Sequence, residues 1–332
     1  VLSGHEKADR EVHETFGRAL CHAAKATSDR REAAVGNPAG RFAPSPTSDL
    51  HLGNLRTALL SWLFARASGL DFVVRVEDLD QQRVASAPDV AARQLADLAS
   101  LGLDWDGEVV RQSERHDLYT EAASTLDTYE CFCTRREVAD ASQAPHGGYR
   151  PYPGTCSRLS DADRSRLRAE RPAAIRVRAG GASSTIHDVH AGEVTARVDD
   201  FVLFRNDRTP AYNLAVVVDD ALQGVVDVCR GDDLLTSAPR QAWLARTLGH
   251  AAPTYVHVGM AVNSSGRRLA KRDGAVTLAD LASAGASTRD VMGVLCRSLG
   301  FPDATTPRQL LAGALAGEVD LMGPRVWEPW VV

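Results

Sequence analysis

GRFAPSPTSDLHLGNLRTALLSWLFARA, residues 40–67, decides how the chain is read. Phe42 and Ala43 form a short apolar strand that breaks at Pro44 and Pro46. Thr47, Ser48 and Asp49 supply a turn, and His51-Leu52-Gly53-Asn54 then opens a helix. Leu52, Leu55, Leu59, Trp62 and Leu63 recur at three- and four-residue spacing, so the helix is expected to bury one face. A strand feeding a loop into a helix N-terminus is a place to hold phosphate, because unpaired N–H groups and the dipole point at it. The glycine-rich phosphate fingerprints are missing. In their place stand His51, whose ring can bond a phosphate oxygen, and Gly53, which would let a flat base approach the backbone.

The bulk composition is permissive. With 332 residues and 44% apolar residues, the chain can bury the core of one large domain or two modest ones. No apolar run approaches the roughly 20 residues that cross a bilayer. The first residues lack an apolar signal core, so a cytoplasmic protein that meets no membrane is expected. A net charge of −5 argues against indiscriminate coating of nucleic acid but leaves room for a local basic groove. Of six cysteines, Cys131, Cys133 and Cys156 cluster. A bridge between cysteines one residue apart would be badly strained, so the cluster favours a metal. Zinc takes four ligands. Three are plain, and His146 is the first chemical candidate for the fourth.

Working outward, residues 71–76 are a second apolar strand ending in Glu77-Asp78-Leu79-Asp80. Strand, helix, strand in this order makes a right-handed parallel crossover. Ligands on such sheets sit beyond the carboxyl ends of the strands, so Arg41 to Ser45 and Glu77 should meet at one crevice. Glu77, Asp78 and Asp80 alternatively cap a helix running through Val90 to Leu103. A helix to Tyr129 follows. Residues 173–208 read as short strands around a β-ribbon. Tyr212 stands where a strand ends or a buried helix begins, and is a core aromatic on periodicity alone. Arg230 ends a buried strand, where Asp232 or Asp233 would be its ion-pair partner. Residues 287–299 and 307–316 are amphipathic helices.

Arg41 to Ser45 followed by His51-Leu52-Gly53-Asn54 resembles the HIGH signature of class I aminoacyl-tRNA synthetases, glutamyl branch. Arg75-Val-Glu-Asp-Leu-Asp80 with Arg83 resembles that branch's RIEDTD block. Residues 211–220 and 224–235 contain stretches that resemble its AYxLAVVVDD and VVRGxDLL blocks. Residues 268–274 resemble the second class I signature, KLSKR and a glycine, but Arg268 replaces a lysine and Ala270 a serine. With only about sixty residues after Arg272, where a full glutamyl-tRNA synthetase carries an anticodon-binding region, the chain is most similar to the short glutamyl-queuosine tRNA(Asp) synthetase family.

The resemblance implies a Rossmann-like α/β sheet with an inserted zinc-bearing acceptor-end subdomain and a small helical C-terminal part. The expected division is an extension (1–37), the halves of the catalytic domain (38–129 and 204–250), the insertion (130–203), and a signature loop with helices (251–332). The implied reaction is tRNA-independent activation of L-glutamate with ATP and Mg²⁺, then transfer to queuosine of tRNA(Asp), by a monomer. Arg41, Phe42, Ala43, Pro44, Ser45, Glu77, Tyr212 and Arg230 would bind glutamate, Glu77 through the ammonium group. His51, Gly53, Asn54 and Lys271 would bind ATP, with His51 and Lys271 catalytic. One structural zinc would be held by Cys131, Cys133, Tyr152 and Cys156, the family pattern favouring Tyr152 over His146. A truncated enzyme charging tRNA(Glu), or a non-catalytic binder of tRNA or glutamate, are the alternatives.

Overall fold

In the computed structural model, residues 37–134, 136–138, 151–262, 276–317 and 330–331 are described. His146, Arg268, Ala270, Lys271 and nearly all of the extension at 1–37 lie outside them.

The chain begins with β1 (Ala39–Phe42), α1 (Leu52–Ala67) and β2 (Asp71–Val76). β1 and β2 run parallel in the register Ala39 to Asp71, the expected crossover. α1 packs against β1 and β9 (Val225–Gly231) on one side, and α9 (Thr288–Ser298) and α10 (Pro307–Leu315) on the other. The expectation of one buried face is therefore corrected. Twelve residues of α1 are buried, because the C-terminal helices cover the side that would otherwise meet water. A Cβ on Gly40 would stand 2.8 Å from the Ala65 Cβ, so glycine sets how closely β1 approaches this helix.

Asp80 accepts from the Arg83 amide and caps the short α2 (Gln81–Ala85). It does not cap α3 (Val90–Ser100), whose N-cap is Asp89. β3 (Val110–Arg111) and α4 (His116–Ser124) follow, and α4 stops well short of Tyr129, which lies in β4 (Thr128–Cys131). After α5 (Asp161–Glu170), β5 (Ala174–Val177) pairs antiparallel with β4 and with β8 (Val202–Phe204) as a separate three-stranded sheet. Between them, β6 (Ser183–Asp188) and β7 (Gly192–Arg197) form the expected ribbon.

That ribbon joins the main sheet. After α6 (Tyr212–Leu222), β9 and α7 (Ala238–Thr247), β10 (Thr254–Val258) pairs with β9 on one side and with β6 on the other, at Tyr255 and Asp188. The seven-stranded order is β3-β2-β1-β9-β10-β6-β7. β11 (Ala261–Val262) pairs with β12 (Trp330–Val331), and α8 (Leu278–Ser283) precedes α9. Among the described residues no helix is long and apolar enough to cross a membrane.

Candidate active site

β1, β2 and β9 end at one cleft of about 1840 Å³. The Glu77 amide donates to the Pro44 carbonyl at 2.9 Å, tying the end of β2 to the turn after β1. Arg41, Phe42, Ala43, Pro44, Ser45, His51, Gly53, Asn54, Glu77, Tyr212 and Arg230 all line this cleft. Tyr212, at the first turn of α6, is 38% exposed, so it is not a core aromatic.

Arg230 is buried at the end of β9. Its Nε donates to His257 Nε2 at 3.0 Å, and Nη1 to Gln241 Oε1 at 2.8 Å and Tyr212 Oη at 3.4 Å. Nη2 donates to the Leu234 carbonyl at 3.3 Å. Among the described residues no ion pair joins it to Asp232 or Asp233, the partners open to it on sequence. A buried guanidinium whose hydrogen-bond partners among the described residues are all neutral favours an incoming anion, because bringing a charge out of water is costly until it is paired.

Beneath the opposite wall lies a compensated network. Arg75 is fully buried and donates to Asp220 and Gln223 at 2.7 Å, with Glu77 at 3.5 Å and Asp219 at 3.7 Å. Burial alone would lower its pKa, but the three carboxylates more than offset that and raise it. Asp219 also accepts from Gln112, Arg115 and Tyr119. Asp220 stands 3.5 Å from Arg41 Nε, and Arg41 Nη1 donates to the Cys229 carbonyl. Burial lifts the Glu77 carboxyl above its ordinary range, and Arg75 and Arg41 pull it only partly back. A cation arriving beside Glu77 would relieve that cost.

The N-terminus of α1 is already occupied. His51 Nδ1 accepts the amides of Gly53 and Asn54 at 3.1 and 3.3 Å, and Asn54 Oδ1 accepts the His51 amide at 3.2 Å, a reciprocal capping box. The Leu52 amide donates to the Val276 carbonyl. The expected cradle of open N–H groups is thus corrected: in the neutral ring Nδ1 accepts, so Nε2 carries the hydrogen and is the ring's donor. Gly53 also has a different reason. A Cβ there would lie 2.8 Å from the Ala261 Cβ and 3.0 Å from the His51 ring, so glycine admits β11 and the cap. Ala261 and Thr277, which flank the segment carrying Lys271, both line the cleft.

Cys131, Cys133 and Cys156 bring their sulfurs within 4.8 Å of one another. Tyr152 Oη lies 3.4 Å from Cys131 Sγ and 3.7 Å from Cys133 Sγ, and accepts the Cys156 amide at 2.8 Å. Four ligands about 2.3 Å from a zinc ion require sulfurs roughly 3.8 Å apart. Cys133 and Cys156, at 3.4 Å, come near that spacing, so the donor set fits a tetrahedral ion with little movement. Burial raises the Tyr152 phenol well above its ordinary range, so it would ligate only if the metal drew off its proton. Cys131 and Cys133 also touch the cleft.

His257, Gln241 and Asp188 are among the buried polar residues that sequence reading missed. His257 carried a weak signal, as the only polar residue inside the apolar run Tyr255 to Val258. Asp188 carried none, because its partner is 69 residues away.

A mostly parallel sheet with helices around it and a cleft at the ends of its central strands defines a Rossmann-like nucleotide-binding catalytic domain. Residues 39–311 match the family described as tRNA synthetases class I (E and Q), catalytic domain. Curated glutamyl-Q tRNA(Asp) synthetases of Nocardia farcinica and Cutibacterium acnes are each 56% identical, covering 89% and 82% of this chain and 93% and 79% of theirs. That of Deinococcus radiodurans is 50% identical over 79% of this chain and 89% of its own. A solved glutamate tRNA ligase of Elizabethkingia meningosepticum in complex with its amino acid superposes with a TM-score of 0.71 at 26% identity, over 89% of this chain. This chain spans 66% of that one and 68% of the glutamate-tRNA synthetase of Elizabethkingia anophelis, which superposes at 0.73 and 25% identity over 90% of this chain. The chain belongs to the class I tRNA synthetases of the E and Q type, within the family of glutamyl-Q tRNA(Asp) synthetases.

Proposed function

We propose that the cleft activates L-glutamate with ATP and, without needing tRNA for that step, passes it to queuosine of tRNA(Asp). The observation that carries the choice of amino acid is Arg230, a buried cation lining the cleft whose hydrogen-bond partners among the described residues are all neutral. Four of its five N–H groups already have acceptors, so it would meet a carboxylate through its charge and the remaining Nη2 hydrogen, a charge-assisted pairing that a neutral side-chain amide does not make. Arg41 lies alongside but already has Asp220, so it adds field more than a vacant partner. Glu77 takes the ammonium group, Tyr212 closes the pocket, and Phe42 to Ser45 shape its floor.

In the first step an oxygen of the glutamate α-carboxylate attacks the α-phosphorus of ATP, and pyrophosphate leaves. His51 Nε2–H stabilises charge on the α-phosphate, Gly53 and Asn54 serve ATP by holding that ring through their amides, and Lys271 meets the leaving pyrophosphate. Mg²⁺ accompanies ATP and neutralises phosphate charge. In the second step a queuosine hydroxyl attacks the mixed-anhydride carbonyl, the anhydride C–O bond breaks and AMP leaves. Cys131, Cys133, Tyr152 and Cys156 would hold one zinc, which would fasten the end of β4 to the 152–156 turn. Residues 130–203 would present the RNA, even though their ribbon hydrogen-bonds to the catalytic sheet. The names of the related proteins support this acceptor.

The test is transfer of labelled glutamate. Label should reach tRNA(Asp) carrying queuosine and neither tRNA(Asp) lacking it nor tRNA(Glu). Charging of the tRNA(Glu) 3′ end would replace this reading with the truncated synthetase, and no activation at all would leave a binding protein.

A further inference from the structure

His257 lies between Arg230 and the ribbon. Its Nε2 accepts from Arg230 Nε at 3.0 Å, and its Nδ1 lies 2.6 Å from Asp188 Oδ2. Both His257 and Asp188 are fully buried. The two contacts fix the ring. Arg230 has only hydrogens to offer, so Nε2 must be the bare nitrogen and Nδ1 must carry the proton toward the carboxylate. Asp188 is held in turn by the amides of His190, Ala191 and His257. The Tyr255 ring stacks beside His257 at 5.8 Å.

We infer that Asp188 and His257 are positioning residues for amino-acid selection: they aim the Arg230 guanidinium into the cleft by giving its Nε a neutral acceptor in place of an acid. This rests on the reading of the cleft as a glutamate-activating site. A carboxylate touching Arg230 directly would orient it equally well, but would compete with the substrate's own carboxylate. A neutral imidazole orients without competing, and the anion that fixes the imidazole stays one ring away. Nε is spent on His257, both Nη1 hydrogens go to Gln241 and Tyr212, and one Nη2 hydrogen goes to the Leu234 carbonyl, so a single Nη2 hydrogen is left for the substrate. The relay also makes selection depend on the 183–197 ribbon, since Asp188 ends its first strand.

Two substitutions divide the relay. In His257→Asn the amide can still meet Asp188, but nothing reaches Arg230 Nε. In His257→Gln the longer side chain can place an oxygen near the old Nε2. ATP–pyrophosphate exchange should show His257→Asn raising the glutamate KM by about tenfold to a hundredfold, the range for a buried charged donor left without its acceptor. The ATP KM and the turnover at saturating glutamate should change by less than about threefold. His257→Gln should recover most of the loss.

Equal falls in turnover and in affinity for both substrates would mark His257 as merely structural and overturn the inference, as would a glutamate KM unchanged in His257→Asn. A wild-type protein without glutamate-dependent exchange would overturn the inference together with the reading beneath it, and is told apart by needing no variant. Should His257→Asn fail to fold, nitrogen-15 NMR of the wild type decides: a neutral ring protonated on Nδ1, before and after glutamate, is expected, and an imidazolium or Nε2–H tautomer contradicts the relay.

Discussion

His51 Nδ1 accepts the Gly53 amide at 3.1 Å, so one imidazole caps the central helix in a residue that also lines the cleft. The two tasks can be separated. His51→Asn keeps a good N-cap oxygen, whereas His51→Ala keeps neither function. Thermal melts should place His51→Ala about 1 kcal/mol below wild type and His51→Asn close to it. Exchange turnover should fall in both, by about a hundredfold, the scale for one lost donor to developing charge. Normal turnover in His51→Asn would confine His51 to capping.

Lys271→Ala should abolish adenylate formation and leave the melting temperature unchanged. A charge that acts mainly on the leaving pyrophosphate lowers turnover more than it weakens ATP binding. Near-normal exchange would remove this lysine from the reaction and lend weight to Arg268 and Ala270 as signs of a binding paralogue.

Metal analysis of purified protein should give about one zinc per chain, the load of a single four-ligand site. Tyr152→Phe should weaken zinc retention against a chelator, while His146→Ala should not. The opposite pattern would make His146 the fourth ligand. A metal-free, fully active protein would leave the three thiols as reduced cysteines. Loss of the Tyr152 hydroxyl also strips the Cys156 amide of its acceptor, so melting should fall even without metal.

Glu77 gives a pH signature. Burial first, and Asp220 and Asp219 besides, hold its carboxyl above the ordinary range despite Arg75 and Arg41. The free protein therefore keeps the proton to higher pH than an unfolded chain does. Folding stability should decline as pH rises from the ordinary carboxylate value through the raised one. Glutamate binding works in the opposite sense, because its ammonium group needs the ionised carboxylate. The glutamate KM should rise as pH falls through the raised value, with a proton released on binding in that window. Both effects should vanish in Glu77→Gln, and a KM that responds to pH equally in the variant would contradict the assignment.

The strand–helix–strand core was legible because its signals are local. Prolines end β1, leucine spacing marks α1, and an unbroken apolar run makes β2. The C-terminal helices were legible for the same reason: Ser287 and Thr306 cap α9 and α10 where periodicity starts. What escaped depends on distance in sequence. Nothing around residues 183–197 says that the ribbon joins the main sheet through a single register pair, Tyr255 with Asp188. Gly53 looked like room for a base, since only the folded chain brings Ala261 against it. Asp220 was read within a block, but its two arginine partners come from β1 and β2. Of the residues lining the cleft, those at strand ends and at the helix start were legible in sequence, and the buried groups packed behind them were not.

The most direct test is ATP–pyrophosphate exchange without RNA, comparing wild type with Arg230→Gln on glutamate and on glutamine. Wild type should exchange with glutamate alone. Arg230→Gln should lose hundreds- to thousands-fold in kcat/KM for glutamate, matching about 3–5 kcal/mol for a buried anion stripped of its partner. It should gain little for glutamine, because Tyr212, Gln241 and His257 remain arranged around a guanidinium that is gone. A variant within about threefold of wild type on glutamate would contradict the account, since that is too small for a lost charge pairing.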